Sequence, residues 1–352
     1  MGKRSTTPNA SRGSAATGVR KPPKEQERFD STSSDSPEEA EKEIEESHEE
    51  YAEDAEITDK QAKDMQERRE NVVDNLKEEG LDIEEDHIYG SVMQRTITGP
   101  IDEDSDVDVL VVLNGKEHQR WATDENGPRN ALNAVKRKLE NRYPNQEIRV
   151  DRNVVAVKFS DFTVEVAPAF RYSDVSDPEP PSRFAKYGST EEDPREGYAI
   201  PDTYGGQSWV GTNPRKFQSM FDAVNENNQG KLQKVAVSAK KWNEQNGKPV
   251  NSYHMVMMAY KYFRNDAPSN ASTQEHMSNF MQKLPQYVHD ETREPVYKER
   301  IDSGMTTEER EKAAEKAWKA NEKIEEAERL KQKGKTEEAK EKYREAYGNG
   351  FR

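Results

Sequence analysis

Asp106 and Asp108 stand two residues apart at the head of DVDVLVVL, a run that alternates at first and then becomes continuously apolar. Residues two apart in a strand project from the same face, so the spacing aims both carboxylates one way. Like charges held close repel unless a shared proton or a divalent cation neutralises them. An all-oxygen donor set suits Mg²⁺, which keeps several waters and takes further ligands from substrate phosphates. A third acid would complete a two-ion clamp for phosphoryl chemistry. Glu165 is the best placed: in FTVEV, residues Phe162, Val164 and Val166 share one face, and Thr163 and Glu165 share the other. Asp161 falls in the turn before that strand. Upstream, Gly90-Ser91 offers a backbone turn and a hydroxyl of the kind that holds a phosphate. An acid pair on one strand also fits a solvated edge, and spacing alone does not choose between the two.

These residues need a frame. Met65, Val72, Val73 and Leu76 recur at helical spacing after Thr58, and Gly80 ends that helix. A second helix is expected over 130–142, stopped before Pro144. Strands are expected at Ile148–Val150, Val154–Phe159 and Phe162–Val166, the last two joined by a Ser160-Asp161 turn. From Ser173 to Val210 the chain reads as a long loop rich in Pro, Gly and charge. Beyond it the pattern is helical. Asn213-Pro214 is a cap and first-turn pair, and Leu232, Val235, Ala236, Ala239 and Trp242 form an apolar stripe. Ser252 opens another helix, and the last fifty or so residues read as a helical hairpin turning at Gly334.

Composition sets the outer limits. Of 352 residues, 31% are hydrophobic and 35% charged, so part of the chain is expected to stay outside any core. The net charge of −15 is concentrated locally: residues 25–59 carry 16 acids against Arg28 and Lys42. Residues 1–24 carry six bases and no acid. Residues 1–56 are therefore expected to be a disordered basic and acidic tail, dispensable for chemistry. The absence of cysteine excludes disulfides, thiolate metal sites and a cysteine nucleophile. No apolar run has the length of a membrane span, which predicts a cytoplasmic protein without membrane association. The six histidines show no metal-ligand spacing. The four tryptophans read as packing residues, with Trp209 beside the expected cleft.

Gly90-Ser91, then Asp106-Val107-Asp108, then Glu165 in a later strand resembles the active site of the polymerase-β-like nucleotidyltransferases, with Glu where Asp is commoner as the third acid. The segments VEVAPAF, YAIPD, GGQSWVGTNP, AKKWN and NSY, and the ending AKEKYREAYGNGF, narrow the resemblance. In that order they are similar to the cGAS/DncV-like nucleotidyltransferases, relatives of cyclic GMP-AMP synthase, over roughly Thr58 to Phe351. The resemblance implies an α+β fold: a mixed sheet with flanking helices over 57–210, packed on a helical lobe over 211–352. It implies an enzyme that joins NTPs into a cyclic di- or oligonucleotide messenger for antiphage signalling, using Mg²⁺ or Mn²⁺. A downstream effector would bind the product rather than this chain, and a regulatory protein partner is a further expectation.

The same resemblance implies nucleotide-binding roles for Gly90, Ser91, Lys240, Ser252 and Tyr253. A family lysine beside a tryptophan contacts the donor triphosphate, and both Lys240 and Lys241 are candidates here. By helical phase Lys240 lies at the edge of the apolar stripe and Lys241 faces solvent, which favours Lys240. Ser252 would meet phosphate at a helix N-terminus, and Tyr253 would stack on a base; a plain cap and a plain core residue are the competing readings. Two other functions fit less well. A template-independent enzyme acting on RNA ends would call for a basic, aromatic-laced surface. A nucleotide-binding sensor without catalysis would not need all three acids.

Overall fold

The computed structural model describes residues 35–103, 105–175, 197–203, 208–298, 300–348 and 350–352. Helices α1 (Pro37–Glu53) and α2 (Asp59–Glu78) lead into strand β1 (Ile83–Ile88), the short helix α3 (Gly90–Met93) and strand β2 (Asp106–Leu113). Helices α4 (Gln119–Thr123) and α5 (Gly127–Arg142) precede strands β3 (Glu147–Asp151), β4 (Val154–Lys158) and β5 (Thr163–Arg171). Strands β6 (Tyr198–Asp202) and β7 (Ser208–Thr212) follow, and the rest is helical. Those helices are α6 (Pro214–Asn227), α7 (Lys231–Gln245), α8 (Ser252–Asn265), α9 (Thr273–Tyr287), α10 (Thr307–Lys331) and α11 (Thr336–Tyr347).

The sheet runs β1-β2-β5-β4-β3, with β6 beside β5 and β7 beside β6. Among the described residues only β2 and β5 run parallel, and the other pairings are antiparallel. This mixed sheet with flanking helices is the expected α+β class. Alternation divides its faces. Val107, Val109, Val111, Val155, Val157, Val164 and Val166 pack with Met65, Val72 and Leu76 of α2 and Leu132, Val135 and Leu139 of α5. Leu110, Val112, Ala167 and Ala169 face the other way, with Tyr198. Asp106, Asp108 and Glu165 have the parity of this second face.

Two expectations about the chain's organisation are corrected. Residues 37–53 are a helix, not part of a disordered tail. Ser36 and Glu39 close a capping box at its start, with Pro37 in the first turn. Ala40, Ile44, His48, Tyr51 and Ala52 are buried along one face. Ile44 and Tyr51 belong to the same core as Trp242, Tyr262, Phe280, Tyr343 and Phe351. The surrounding acids are engaged: Glu45 accepts from the backbone N–H groups of Thr273 and Gln274 at 2.8 Å each, capping α9. Glu43 pairs with Lys340 and Glu49 with Lys234. A boundary after residue 56 would thus cut α1 from the helical core it completes. Second, the expected loop from Ser173 to Val210 contains the β6–β7 hairpin; its residues 176–196 and 204–207 lie outside the described residues.

Trp209 is a core residue rather than a cleft residue, edge-on to Phe170 with ring centroids 5.0 Å apart. Trp318, expected to pack, is 62% exposed. Among the described residues, no helix is long and apolar enough to cross a membrane.

Candidate active site

The parallel pairing of β2 with β5 brings the three acids together. Asp108 is the register partner of Glu165, and Asp106 that of Thr163. All three lie near the N-terminal ends of their strands, on the face away from α2 and α5. Burial, and then the Glu165 and Asp106 charges, push the Asp108 carboxyl up to about 8, against an opposing effect of Lys240. Glu165 is pushed up to about 7 by burial, Asp106 and Asp151, with Arg149 and Lys248 acting the other way. Crowded carboxylates of this kind are a site for protons or for a cation.

Gly90 and Ser91 open α3 directly against this cluster. Gly90 has φ +66°, and a Cβ there would lie 2.2 Å from Asp108 Oδ2. Only glycine satisfies both the left-handed backbone and the close approach. The loop then closes on itself: Gln94 N–H donates to the Gly90 carbonyl, and Thr96 and Ile97 N–H both donate to the Ser91 carbonyl, at 2.8 and 3.1 Å. Tyr89, just before, donates its backbone N–H to the Asp108 carbonyl at 3.0 Å. Burial, then Asp108 and Glu165, holds the Tyr89 hydroxyl well above the ordinary phenol range.

The helical lobe contributes Lys240, which is 4% exposed and donates from Nζ to the Thr96 carbonyl at 2.6 Å. Burial pulls its ammonium down to about 8, opposed by Glu244, Asp108 and Asp106. Helical phase therefore chose the inward lysine. Lys241 is not solvated as expected: its ammonium lies 4.5 Å from the centre of the Tyr51 ring of α1. Tyr253 is 37% exposed and meets Phe217 edge-on, ring centroids 6.3 Å apart. Burial, then Glu294 and Asp108, raise its hydroxyl above the ordinary phenol range. Ser252 is the first residue of α8, but it does not cap the helix. Asn251 does, accepting from the Tyr253 and His254 N–H groups.

Sequence reasoning missed Tyr89, Arg149 and Lys248. Arg149 was accessible through the hairpin register: it pairs with Ala156, which pairs with Glu165, so Arg149 lies along the same face beyond a small residue. Lys248 follows Gly247 in a turn where both have positive φ, 52° and 79°; nothing in its type marked it.

Among the described residues, no three acidic or histidine side chains already converge as a cation cage. The donor chemistry nevertheless fits a divalent ion. Two register-paired carboxylates and a neighbouring third offer oxygen alone, and their mutual repulsion is what an ion would relieve.

Residues 43–187 match the family model of the Second Messenger Oligonucleotide or Dinucleotide Synthetase domain. No curated protein matches the chain. The fold is similar to that of CdnC of E. coli MS115-1 in complex with ATP, at 14% identity and a TM-score of 0.64, over 88% of this chain and 99% of that one. The same protein in complex with HORMA-deltaN matches at 14% identity and 0.61, over 88% and 98%. Vibrio cholerae DncV, a cyclic AMP-GMP synthase, matches at 14% and 0.55, over 90% and 88%. At such identities the likeness is one of fold.

Proposed function

We infer from the match of residues 43–187 to the family model of the Second Messenger Oligonucleotide or Dinucleotide Synthetase domain, together with the site geometry, that the chain is a cGAS/DncV-like nucleotidyltransferase that joins NTPs into a cyclic di- or oligonucleotide messenger. The observation that carries this reading is the register pairing of Asp108 with Glu165 beside Asp106, on the sheet face where Gly90 closes against the Asp108 carboxylate.

Asp106, Asp108 and Glu165 would hold Mg²⁺ or Mn²⁺, which would neutralise donor phosphate charge and acidify the acceptor hydroxyl. The chain's own residues do the rest. The Gly90-Ser91 turn brings backbone and hydroxyl close to the donor phosphates, because glycine leaves no side chain in the way. Lys240 sets a positive charge beside them in a buried setting, where it is worth more than in water. Tyr253 offers an aromatic face to a base, and Ser252 lies beside it at the start of α8. The attacking ribose hydroxyl would be acidified beside the ion and give up its proton to water. That hydroxyl oxygen forms a bond to the α-phosphorus while the bond to pyrophosphate breaks. Most of the rate enhancement then comes from placement and charge neutralisation.

Antiphage signalling is the setting that the family implies, with an effector reading the product. A HORMA-type regulator is a partner class to test, because one similar fold was solved with such a protein. The direct test incubates the protein with the four NTPs and Mg²⁺ or Mn²⁺ and identifies products by mass spectrometry. Cyclic oligonucleotides plus pyrophosphate are expected. Extension of an added RNA end without cyclic product would favour the RNA-directed reading.

A further inference from the structure

The segment Thr96–Thr98, directly after the Gly90-Ser91 loop, is gripped by one face of α7 at two points. Lys240 Nζ donates to the Thr96 carbonyl at 2.6 Å, and Thr98 Oγ1 donates to Glu244 Oε1 at 2.7 Å. Lys240 and Glu244 are one helical turn apart and so share a face. One contact takes the Thr96 backbone carbonyl and the other the Thr98 side chain, while Ile97 between them is buried in the core on the sheet.

Thr96 is the link to the site. Its carbonyl accepts from Lys240, and its N–H donates to the Ser91 carbonyl at 2.8 Å. A displacement of this segment along α7 would carry Ser91 with it. Thr96 is fully buried and Thr98 is 8% exposed, so the donor side of the pair is shielded from water, whereas the Glu244 side chain reaches it from an exposed position on α7. The neighbouring Gly99 N–H donates to the Ala55 carbonyl at 2.8 Å, which steadies the far end of the segment but leaves the grip on Thr96 and Thr98 to α7.

We propose that Thr98 and Glu244 are a positioning pair, tying α7 to the Gly90-Ser91 loop so that Ser91 and Lys240 meet the donor triphosphate in fixed register. The nucleotide role of that loop rests on the function proposed above; the tether itself does not. Without the pair, only a fraction of molecules would hold the loop in its binding-competent place, and apparent affinity falls by that fraction.

Three single variants and one double variant test it; the singles are Thr98→Val, which removes the donor, Glu244→Ala, which removes the acceptor, and Thr98→Ser, which keeps the hydroxyl. The first two should raise the KM for NTP about fivefold with kcat at saturation largely kept. Thr98→Ser should restore the wild-type KM. The double variant Thr98→Val/Glu244→Ala should be no worse than either single, because the two act as one unit. Amide hydrogen exchange without nucleotide should speed up at Thr96 and Ile97 in the first two variants and recover in Thr98→Ser. Unchanged exchange at these amides, or an unchanged KM, would overturn the pair, and so would fully additive effects. If exchange responds as expected but the wild type binds no ATP by calorimetry, the phosphate role of the loop falls and with it the proposed function.

Discussion

Asp108 of β2 lies directly across from Glu165 of β5, the one strand that runs parallel to it. Parallel neighbours start at the same end of a sheet, so acids early in both strands meet at one rim. That rim carries Asp106 as well, and the rise in the Asp108 and Glu165 carboxyls to about 8 and about 7 follows from burial and from this crowding. A fold that retains such a cluster bears a stability cost that a purely structural sheet would avoid.

Gly90→Ala tests how closely the loop must approach the acids. The new Cβ would meet Asp108 Oδ2 at 2.2 Å, in a backbone conformation with φ +66° that disfavours any side chain. Either Asp108 rotates away or the loop backs off. Nucleotide joining should drop about a hundredfold or more, in keeping with the sensitivity of such chemistry to displacements near 1 Å. Circular dichroism should show an intact fold. Activity within threefold of wild type would mean that the loop does not need its present position.

Lys240 and Lys241 are adjacent but should fail differently. Lys240→Ala removes a buried ammonium and leaves the Thr96 carbonyl without its 2.6 Å donor. NTP affinity should fall tenfold or more, as expected for loss of a charge-assisted hydrogen bond. Lys241 rests on the Tyr51 ring instead. Lys241→Ala should lower thermal stability by about 0.5–1 kcal/mol with NTP affinity unchanged. Calorimetric titration and a thermal melt of each variant separate the two. A larger affinity loss in Lys241→Ala would reverse the assignment.

Much of the site was legible because periodicity reports direction. Period two aimed Asp106 and Asp108 together and put Glu165 opposite Val164 and Val166; period 3.6 turned Lys240 inward. The Ser160-Asp161 turn and the Gly334 turn followed from local chemistry alone. What was illegible depended on tertiary partners. Strand β1, IEEDHI, has apolar residues only at its ends, and its acids are held by partners from distant segments. Arg69 and Lys77 pair with Asp86, and Arg171 with Glu84 and Glu85. Helix α1 was hidden in the same way, its stripe of Ala40, Ile44, His48 and Tyr51 diluted by acids whose partners lie on α7, α9 and α11. Charge that reads as solvated in sequence can be paired once the chain folds.

The α1 finding changes what truncation should do. A chain starting at Ile57 loses Ile44 and Tyr51, both fully or almost fully buried against the helical core, together with the Glu45 cap on α9. Removing two such side chains alone forfeits several kcal/mol, a large part of ordinary domain stability. The shortened protein should be insoluble or melt at least 10 °C lower than a chain starting at Asp35. Equal melting of the two would show that α1 contributes nothing to the lobe.

Replacing Asp106 and Asp108 with Asn tests the cluster through linkage. In the folded, ion-free protein the Asp108 carboxyl is raised to about 8 and that of Glu165 to about 7, both far above the ordinary carboxylate range near 4. Between those limits the folded state holds more protons than the unfolded state, so stability falls as pH rises. The loss begins above about pH 4 and is complete only past about pH 8. Asn at both positions removes the Asp108 titration and relieves Glu165 of Asp106. The double variant should therefore melt higher than wild type at pH 8, by about 2–4 °C for each kcal/mol recovered. It should also lose most of the decline between pH 5 and 8. Product formation should fall below detection, because the charge that would hold the ion is gone while the shape is nearly kept. Mg²⁺ with a non-hydrolysable NTP should raise the wild-type melting temperature, since the pair binds only the folded state, and should do so far less in the variant. If instead the two proteins shift equally with ligand and share one pH profile, these carboxylates are neither crowded nor the ion's ligands, and the assignment of the site fails.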